Sequence, residues 1–178
     1  MNTTSSLSNS HINIKPGIAF GFDHPATLAM LHLLRDENFN KPVQRALDLG
    51  CGSGILSIYL SKVKNVKKIY ALDIDPFVLK EAKSNFKSNI KKKRAAIFLL
   101  NDFSLLKEPF HIIVANVPIN VHILLHSHIS RLLTYKGAIY CGGILKSQKD
   151  VLLNLYQDFT VINYLEISDW MAFKLRRF

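Results

Sequence analysis

From residue 43 onward, short apolar runs alternate with longer stretches in which apolar positions recur every three or four residues. Runs of about five apolar residues bounded by turn formers predict strands, and the 3.6-residue spacing predicts helices. The strands fall at 45–49, 68–72, 95–100, 111–115 and 138–141, with helices between them at 54–63, 76–88, 119–133 and 148–157. Ahead of the first strand, Leu28, Leu31 and Leu34 keep helical spacing over residues 25 to about 39, and Asp23 or His24 before Pro25 marks the start. Such alternation predicts an α/β domain, a parallel sheet with helices on both faces. The end of the chain breaks the rhythm. Runs at 159–167 and 170–176 are separated by Ser168 and Asp169 alone, too little chain for a crossover, so this pair must be antiparallel. Seven strands result, with residues 1–15 as a flexible arm and 16–178 as one domain.

Composition narrows the class. The chain has 178 residues, 48% apolar and 20% charged, which excludes wholesale disorder and suffices for a core without metal or disulfide support. The two cysteines, Cys51 and Cys141, have no zinc or redox spacing, and a reducing cytoplasmic setting is expected. The first ten residues have no basic patch followed by an apolar run, so no secretory signal is expected. Residues 109–130 lack acids, lysine and arginine, but they contain four histidines, Asn116, Pro118 and Asn120. That stretch suits a strand, loop and helix in a core better than a membrane span. The balance of 23 basic against 13 acidic residues gives +10. Lys83, Lys87, Lys91, Lys92, Lys93 and Arg94 form one stretch free of acids, and Lys174, Arg176 and Arg177 another; without these nine the balance falls to +1. Two readings stand side by side: a nucleic-acid or other acidic partner at residues 83–94, or solvated helix ends.

The most informative stretch is Ala46-Leu47-Asp48-Leu49-Gly50-Cys51-Gly52-Ser53-Gly54-Ile55-Leu56. A strand ends in an acid, glycines follow at alternate positions, and a helix begins. In an open α/β sheet this turn lies at the carboxyl edge, where ligands bind. A dinucleotide fingerprint would need glycine at Ile55, and the phosphate-loop GK[ST] is absent. Asp73, 19 residues after Gly54 at the end of the second strand, fits a ribose-hydroxyl acceptor. Asp48 suits a cation. S-adenosylmethionine, a positively charged nucleoside, satisfies both.

With Asp73-Ile74-Asp75-Pro76, this loop resembles the class I S-adenosylmethionine-dependent methyltransferases, and within them the PrmA-type protein lysine methyltransferases. Pro16-Gly17-Ile18-Ala19-Phe20-Gly21 with His24-Pro25, Ala115-Asn116-Val117, Gly142-Gly143-Ile144-Leu145-Lys146-Ser147-Gln148, and Asp169-Trp170 resemble further motifs of that branch. The resemblance covers about residues 15–177 and implies a Rossmann-like, mostly parallel seven-stranded sheet with the terminal antiparallel hairpin. It implies that Asp48, Gly50, Gly52 and Gly54 hold the methionine part of S-adenosyl-L-methionine, Asp73 the ribose, Ile74 the adenine face and Asp102 the adenine amino group. Phe20 and Gly21 would close over the cofactor, and Asn116 would sit where acceptor and methyl group meet. The acceptor implied is an amine of a protein, lysine above others, in a ribosomal substrate. Family members carry a separate substrate-recognition domain ahead of the match, where about fifteen residues stand here, and residues 21–27 are one residue shorter than the family's threonine-rich segment. An RNA or small-molecule acceptor, or a binding module without activity, are the alternatives. Val117 after Asn116 replaces the aromatic platform of enzymes that grip a planar base, which favours the protein amine. His122, His126 and His128 have no carboxylate or cysteine at ligand spacing; they are expected as polar surface or groove residues, with no metal. Trp170 is expected to pack the hairpin against the sheet.

Overall fold

The computed structural model describes residues 12–15, 17, 19, 23–36, 43–90 and 95–177. Helix α1 (Pro25–Arg35) is followed by β1 (Arg45–Leu49), α2 (Ile55–Lys62), β2 (Lys68–Leu72), α3 (Pro76–Asn89) and β3 (Ala96–Leu100). Then come β4 (Phe110–Asn116), α4 (Ile119–Leu132), β5 (Leu133–Leu145), α5 (Lys149–Leu155), β6 (Phe159–Ile167) and β7 (Trp170–Arg177). They form one seven-stranded sheet in the order β3-β2-β1-β4-β5-β7-β6. Strands β1 to β5 pair in parallel, and β7 runs antiparallel between β5 and β6. The expected α/β sheet with its terminal hairpin is present.

Local chemistry sets the helix starts. Asp75 caps α3, its carboxylate accepting from the Phe77 amide at 2.8 Å, with Pro76 in the first turn. His24 caps α1, its Nδ1 accepting from the Ala26 amide at 3.3 Å. Along β4 the side chains alternate between two cores. Ile113 and Ala115 face Ile129, Leu132 and Leu152 of α4 and α5, while Ile112 and Val114 face Leu34 of α1 and Leu56 and Leu60 of α2. Burial on both faces is what makes such a strand read as a continuous apolar run.

Four expectations shift. Helix α1, expected to about residue 39, ends at Arg35 with Asp36 as its C-cap. The strand expected at 138–141 extends over Leu133–Leu145: Leu133 pairs with Phe110 of β4, Gly142 with Asn116, and Ile144 and Leu145 with Met171 and Trp170 of β7. Its first half, Thr134-Tyr135-Lys136, is polar and half to fully exposed, so hydrophobic patterning did not reveal it. Helix α5 starts later, after a short 3-10 turn at Lys146–Gln148, and ends at Leu155. Residues 12–15, expected in a flexible arm, lie along α3 instead. Asn13 exchanges hydrogen bonds with the Asn89 side chain at 2.8 and 2.7 Å, and Ile12 and Ile14 pack onto the core. The other part of that arm, residues 1–11, lies outside the described residues.

Strand order reverses between β1 and β4, whose neighbours continue in opposite directions. A crevice therefore opens beyond their carboxyl ends, and Asn85 helps fix it. This fully buried side chain donates to the Ser53 carbonyl at 2.9 Å and accepts from the Lys15 amide at 3.2 Å, tying α3 to the glycine loop and to the N-terminal segment. Asn85→Leu leaves both partners without it and is expected to lower the unfolding free energy by about 1–3 kcal/mol. Urea denaturation checks this; an unchanged midpoint would refute the role.

Candidate active site

The turn from β1 into α2 is held from both flanks. The Cys51 amide donates to the Leu72 carbonyl at 2.9 Å, and the Gly52 amide donates to the Asp73 carboxylate at 3.0 Å. The second Asp73 oxygen accepts from the Asp75 amide at 3.1 Å. Each carboxylate oxygen keeps a lone pair for another donor. Gly54, with φ of 82°, starts α2, and a Cβ there would lie 2.5 Å from a Phe86 ring carbon. Gly50, at φ of 66°, packs where a Cβ would strike Val117. The loop after β1 is thus in direct contact with the loop after β4.

Asp48 lies beneath that turn. Its Oδ2 accepts from the Ser57 amide at 2.9 Å and from the Ser57 hydroxyl at 2.7 Å, while Oδ1 is buried with no hydrogen-bond partner among the described residues. Burial pushes the carboxyl up to about 6 against the opposing pull of the Ser57 bonds, and the charge of Asp73 adds to the rise. A buried carboxylate with an open oxygen suits a positive ligand near it. Ile74 and Phe77, 85% and 65% exposed, form an apolar surface beside Asp73. Asp102 is exposed at the end of β3, at the same sheet edge. It accepts from the Ser104 amide at 2.8 Å, and hydrogen bonds from Ser104 hold it below the usual carboxylate range.

Asn116 ends β4. Its Nδ2 donates to the Thr27 hydroxyl at 3.4 Å, and its buried Oδ1 has no partner among the described residues. Beside it opens a cavity of about 240 Å³ lined by His24, Asn116, Pro118, Leu145, Gln148 and Trp170, among others. The Gln148 side chain accepts from the Leu145 amide at 3.1 Å, which fixes one wall. Trp170 contributes another, edge-on to His24 at 5.0 Å. It is therefore a cavity residue and not only a hairpin prop. Pairing of Leu145 with Trp170 brings the start of β7 to the carboxyl edge; the antiparallel hairpin was the signal that could have shown this.

The histidines on α4 part company. His122, expected at the surface or in a groove, is fully buried under this site. Its Nε2 lies 3.2 Å from the Gly142 carbonyl and its Nδ1 3.5 Å from the Tyr156 hydroxyl, and burial drives it down to about 4. His126 packs on Tyr156 and His128 on Phe103. Among the described residues no three metal-binding side chains converge, and no helix is long and apolar enough to cross a membrane. Phe20 and Gly21 lie outside the described residues, as do residues 91–94 of the basic stretch; Lys83 and Lys87 are exposed on α3. Ala19 reaches the site region, its amide donating to Glu81 at 3.4 Å.

Residues 2–178 match the family model of the ribosomal protein L11 methyltransferases, PrmA. The chain is 35% identical over 169 residues to a ribosomal protein L11 methyltransferase of Acetivibrio thermocellus, covering 93% of this chain and 52% of that protein. For the Helicobacter pylori protein of the same name the identity is 33% over 172 residues, covering 95% and 50%. The chain thus spans about half the length of these curated relatives. Among solved structures, a ribosomal protein L11 methylase from Lactobacillus delbrueckii subsp. bulgaricus superposes with a TM-score of 0.81 at 26% identity, over 94% of this chain and 86% of that one. A methyltransferase from Pyrococcus furiosus shares the fold, with a TM-score of 0.73 at 14% identity over 93% and 88%.

The raised Asp48 carboxyl has a consequence for stability. Its folded value lies above the ordinary one, so the folded chain keeps a proton there that the unfolded chain has released. Stability from this group falls as pH rises from about 4 to about 6, and the unfavourable ionisation is complete above that window. Asp48→Asn removes the effect and retains an oxygen for Ser57. From pH 4.5 to 7.5, the stability difference is expected to shift toward the variant by about 1–3 kcal/mol; a difference constant with pH would contradict the buried, proton-holding carboxyl.

Proposed function

The chain belongs to the ribosomal protein L11 methyltransferase (PrmA) family, and from that premise we propose that it is an S-adenosylmethionine-dependent methyltransferase acting on a protein amine, lysine above others. The observation that carries the reading is the pairing of two features at one crevice. The acid-backed glycine loop of Asp48 and Asp73 lies against the Val117 loop, and the cavity beside Asn116 opens next to it.

S-adenosylmethionine supplies a methyl group on a positively charged sulfur, so the leaving group comes with the cofactor. The roles proposed for this chain's residues are binding, orientation and desolvation. Gly50, Gly52 and Gly54 let the methionine part lie along the main chain, and Asp48 below them favours its positive charge. The fit rests on the orphaned Asp48 Oδ1 and the spare lone pairs of Asp73. Asp73 takes the ribose hydroxyls, exposed Ile74 the adenine face and Asp102 the adenine amino group. Phe20 and Gly21 are proposed to close over it.

The acceptor amine must lose a proton before it can attack. Apolar walls of Pro118, Leu145 and Trp170 penalise an ammonium and lower its pKa. The unpartnered Asn116 Oδ1 accepts a hydrogen bond from the neutral amine and points its lone pair at the methyl carbon. Holding nucleophile and electrophile in line supplies up to about 7–11 kcal/mol in well-oriented systems. A ribosomal protein is the proposed substrate, after the names of the relatives.

Calorimetry with S-adenosylmethionine tests the site, and Asp73→Ala is expected to weaken binding at least tenfold. Tritium-methyl labelling of cell extract tests the acceptor: label is expected in a protein, at an acid-stable amine. Unchanged affinity in the variant removes Asp73 from the site, and label in RNase-sensitive material replaces the protein acceptor with RNA.

A further inference from the structure

The cations of this chain are not spread evenly over the fold. Each helix runs back from the carboxyl edge of the sheet, so strand starts and helix ends share the opposite edge. Lys67 and Lys68 stand there at the start of β2, Lys107 ahead of β4, Arg131 at the end of α4, Lys136 in the first part of β5 and Arg176 in the last part of β7. All six are exposed. Register confirms the row: Lys68 lies opposite Arg45 of β1, and Arg176 opposite Ala138 of β5. Strands β2, β1, β4, β5 and β7 are consecutive in the sheet, and at about 4.8 Å per step the row crosses about 20 Å. Of the acids near it, Glu108 is ion-paired with Arg45 and Asp36 with Arg35, and exposed Asp158, just before β6, adds a negative charge at the β7 end of the row.

Helix ends explain part of this charge. Each helix C-terminus carries about half a negative charge, so the five helices call for roughly two to three cations. Lys64 serves this role directly, donating to the Arg35 carbonyl at 2.8 Å. Arg131 does so in the last turn of α4; the other five exposed cations of the row stand on strands and loops and exceed the requirement. The carboxyl edge has the reverse character, with Asp48, Asp73, Asp75, Asp102 and Asp169. A second feature marks the basic edge. Tyr135 is 75% exposed there, with the Lys136 ammonium 5.7 Å from its ring centroid, and Lys136 is held at a φ of 65°, a conformation uncommon outside glycine.

We propose that this edge, opposite the methyl-transfer crevice, is a docking surface for single-stranded RNA. The cations engage successive phosphates, and Tyr135 offers a face on which a base stacks. The tyrosine is flanked by Thr134 and Lys136, which suits stacking over insertion among lipid chains. Docking here leaves the Asn116 cavity directed away from the RNA. The inference stands on charge placement and does not require the proposed methyl transfer.

Fluorescence anisotropy with a labelled 20-nucleotide uridine oligomer, from 50 to 200 mM salt, tests it. The parent chain is expected to bind with a log–log salt slope steeper than about −2, since each phosphate contact on a single strand contributes about −0.7. Lys68→Gln/Arg131→Gln/Arg176→Gln is expected to bind at least tenfold more weakly at 50 mM, with a slope shallower by about 2. Removing the same charge from α3 and α5, in Lys80→Gln/Lys83→Gln/Lys149→Gln, is expected to change affinity less than twofold. An equal loss in both variants would show attraction by net charge alone and overturn the proposal. So would binding to phosphatidylglycerol vesicles without binding to the oligomer. Should the edge variant fail to fold, a parent slope shallower than about −2 overturns the proposal by itself. Calorimetry with S-adenosylmethionine on the same samples separates this outcome from failure of the methyltransferase reading.

Discussion

A carboxylate buried at the end of a central strand is the constraint on which the site depends. Asp48 is 1% exposed, and one of its oxygens has no hydrogen-bond partner among the described residues. An ionised group in that position costs stability unless something positive arrives. The Ser57 amide and hydroxyl meet half of the need and in doing so fix the first turn of α2. The remaining half is what a cationic ligand above the loop would satisfy. Locally unfavourable groups of this kind are retained where binding compensates for them. The other supports lie around it: Asp73 grips the loop from β2, Asn85 from α3, and Val117 presses against Gly50 from the loop after β4.

The same topology that gathers these acids at one edge sends cations to the other. Parallel βαβ units place every strand end and helix start together, and every helix end with the next strand start. Acids at the carboxyl edge suit a positively charged nucleoside, whereas lysines and arginines at the opposite edge suit phosphates. One sheet thus carries two electrostatically distinct faces about a strand length apart.

Legibility in the sequence followed the local continuity of the apolar runs; even β3 and β6, half-buried or exposed over most of their length, lie within a residue of expectation. Strands β1, β2 and β4 are buried on both faces and appear as continuous apolar runs, so their positions were evident within a residue or so. The glycine loop was legible because its spacing and flanking acids are local. Contacts made across the sheet were not. The polar start of β5 follows Leu133, which pairs with Phe110 of β4 at a register irregularity. Burial of His122 depends on the Gly142 carbonyl and Tyr156, 20 and 34 positions away. Trp170 enters the cavity only because β7 begins at the carboxyl edge. The basic row is assembled from strand starts and helix ends far apart in the chain; of the two basic stretches in the sequence, Arg176 alone belongs to it.

The most direct measurement is a titration of the 15N-labelled chain with S-adenosylmethionine, followed by the amide resonances. If the acid-backed loop is the binding site, the shifts will concentrate at Gly50, Gly52, Gly54 and residues 73–75, with smaller ones at Asp102 and Asn116. Shifts confined to the opposite sheet edge, or no shifts at saturating concentration, would contradict it.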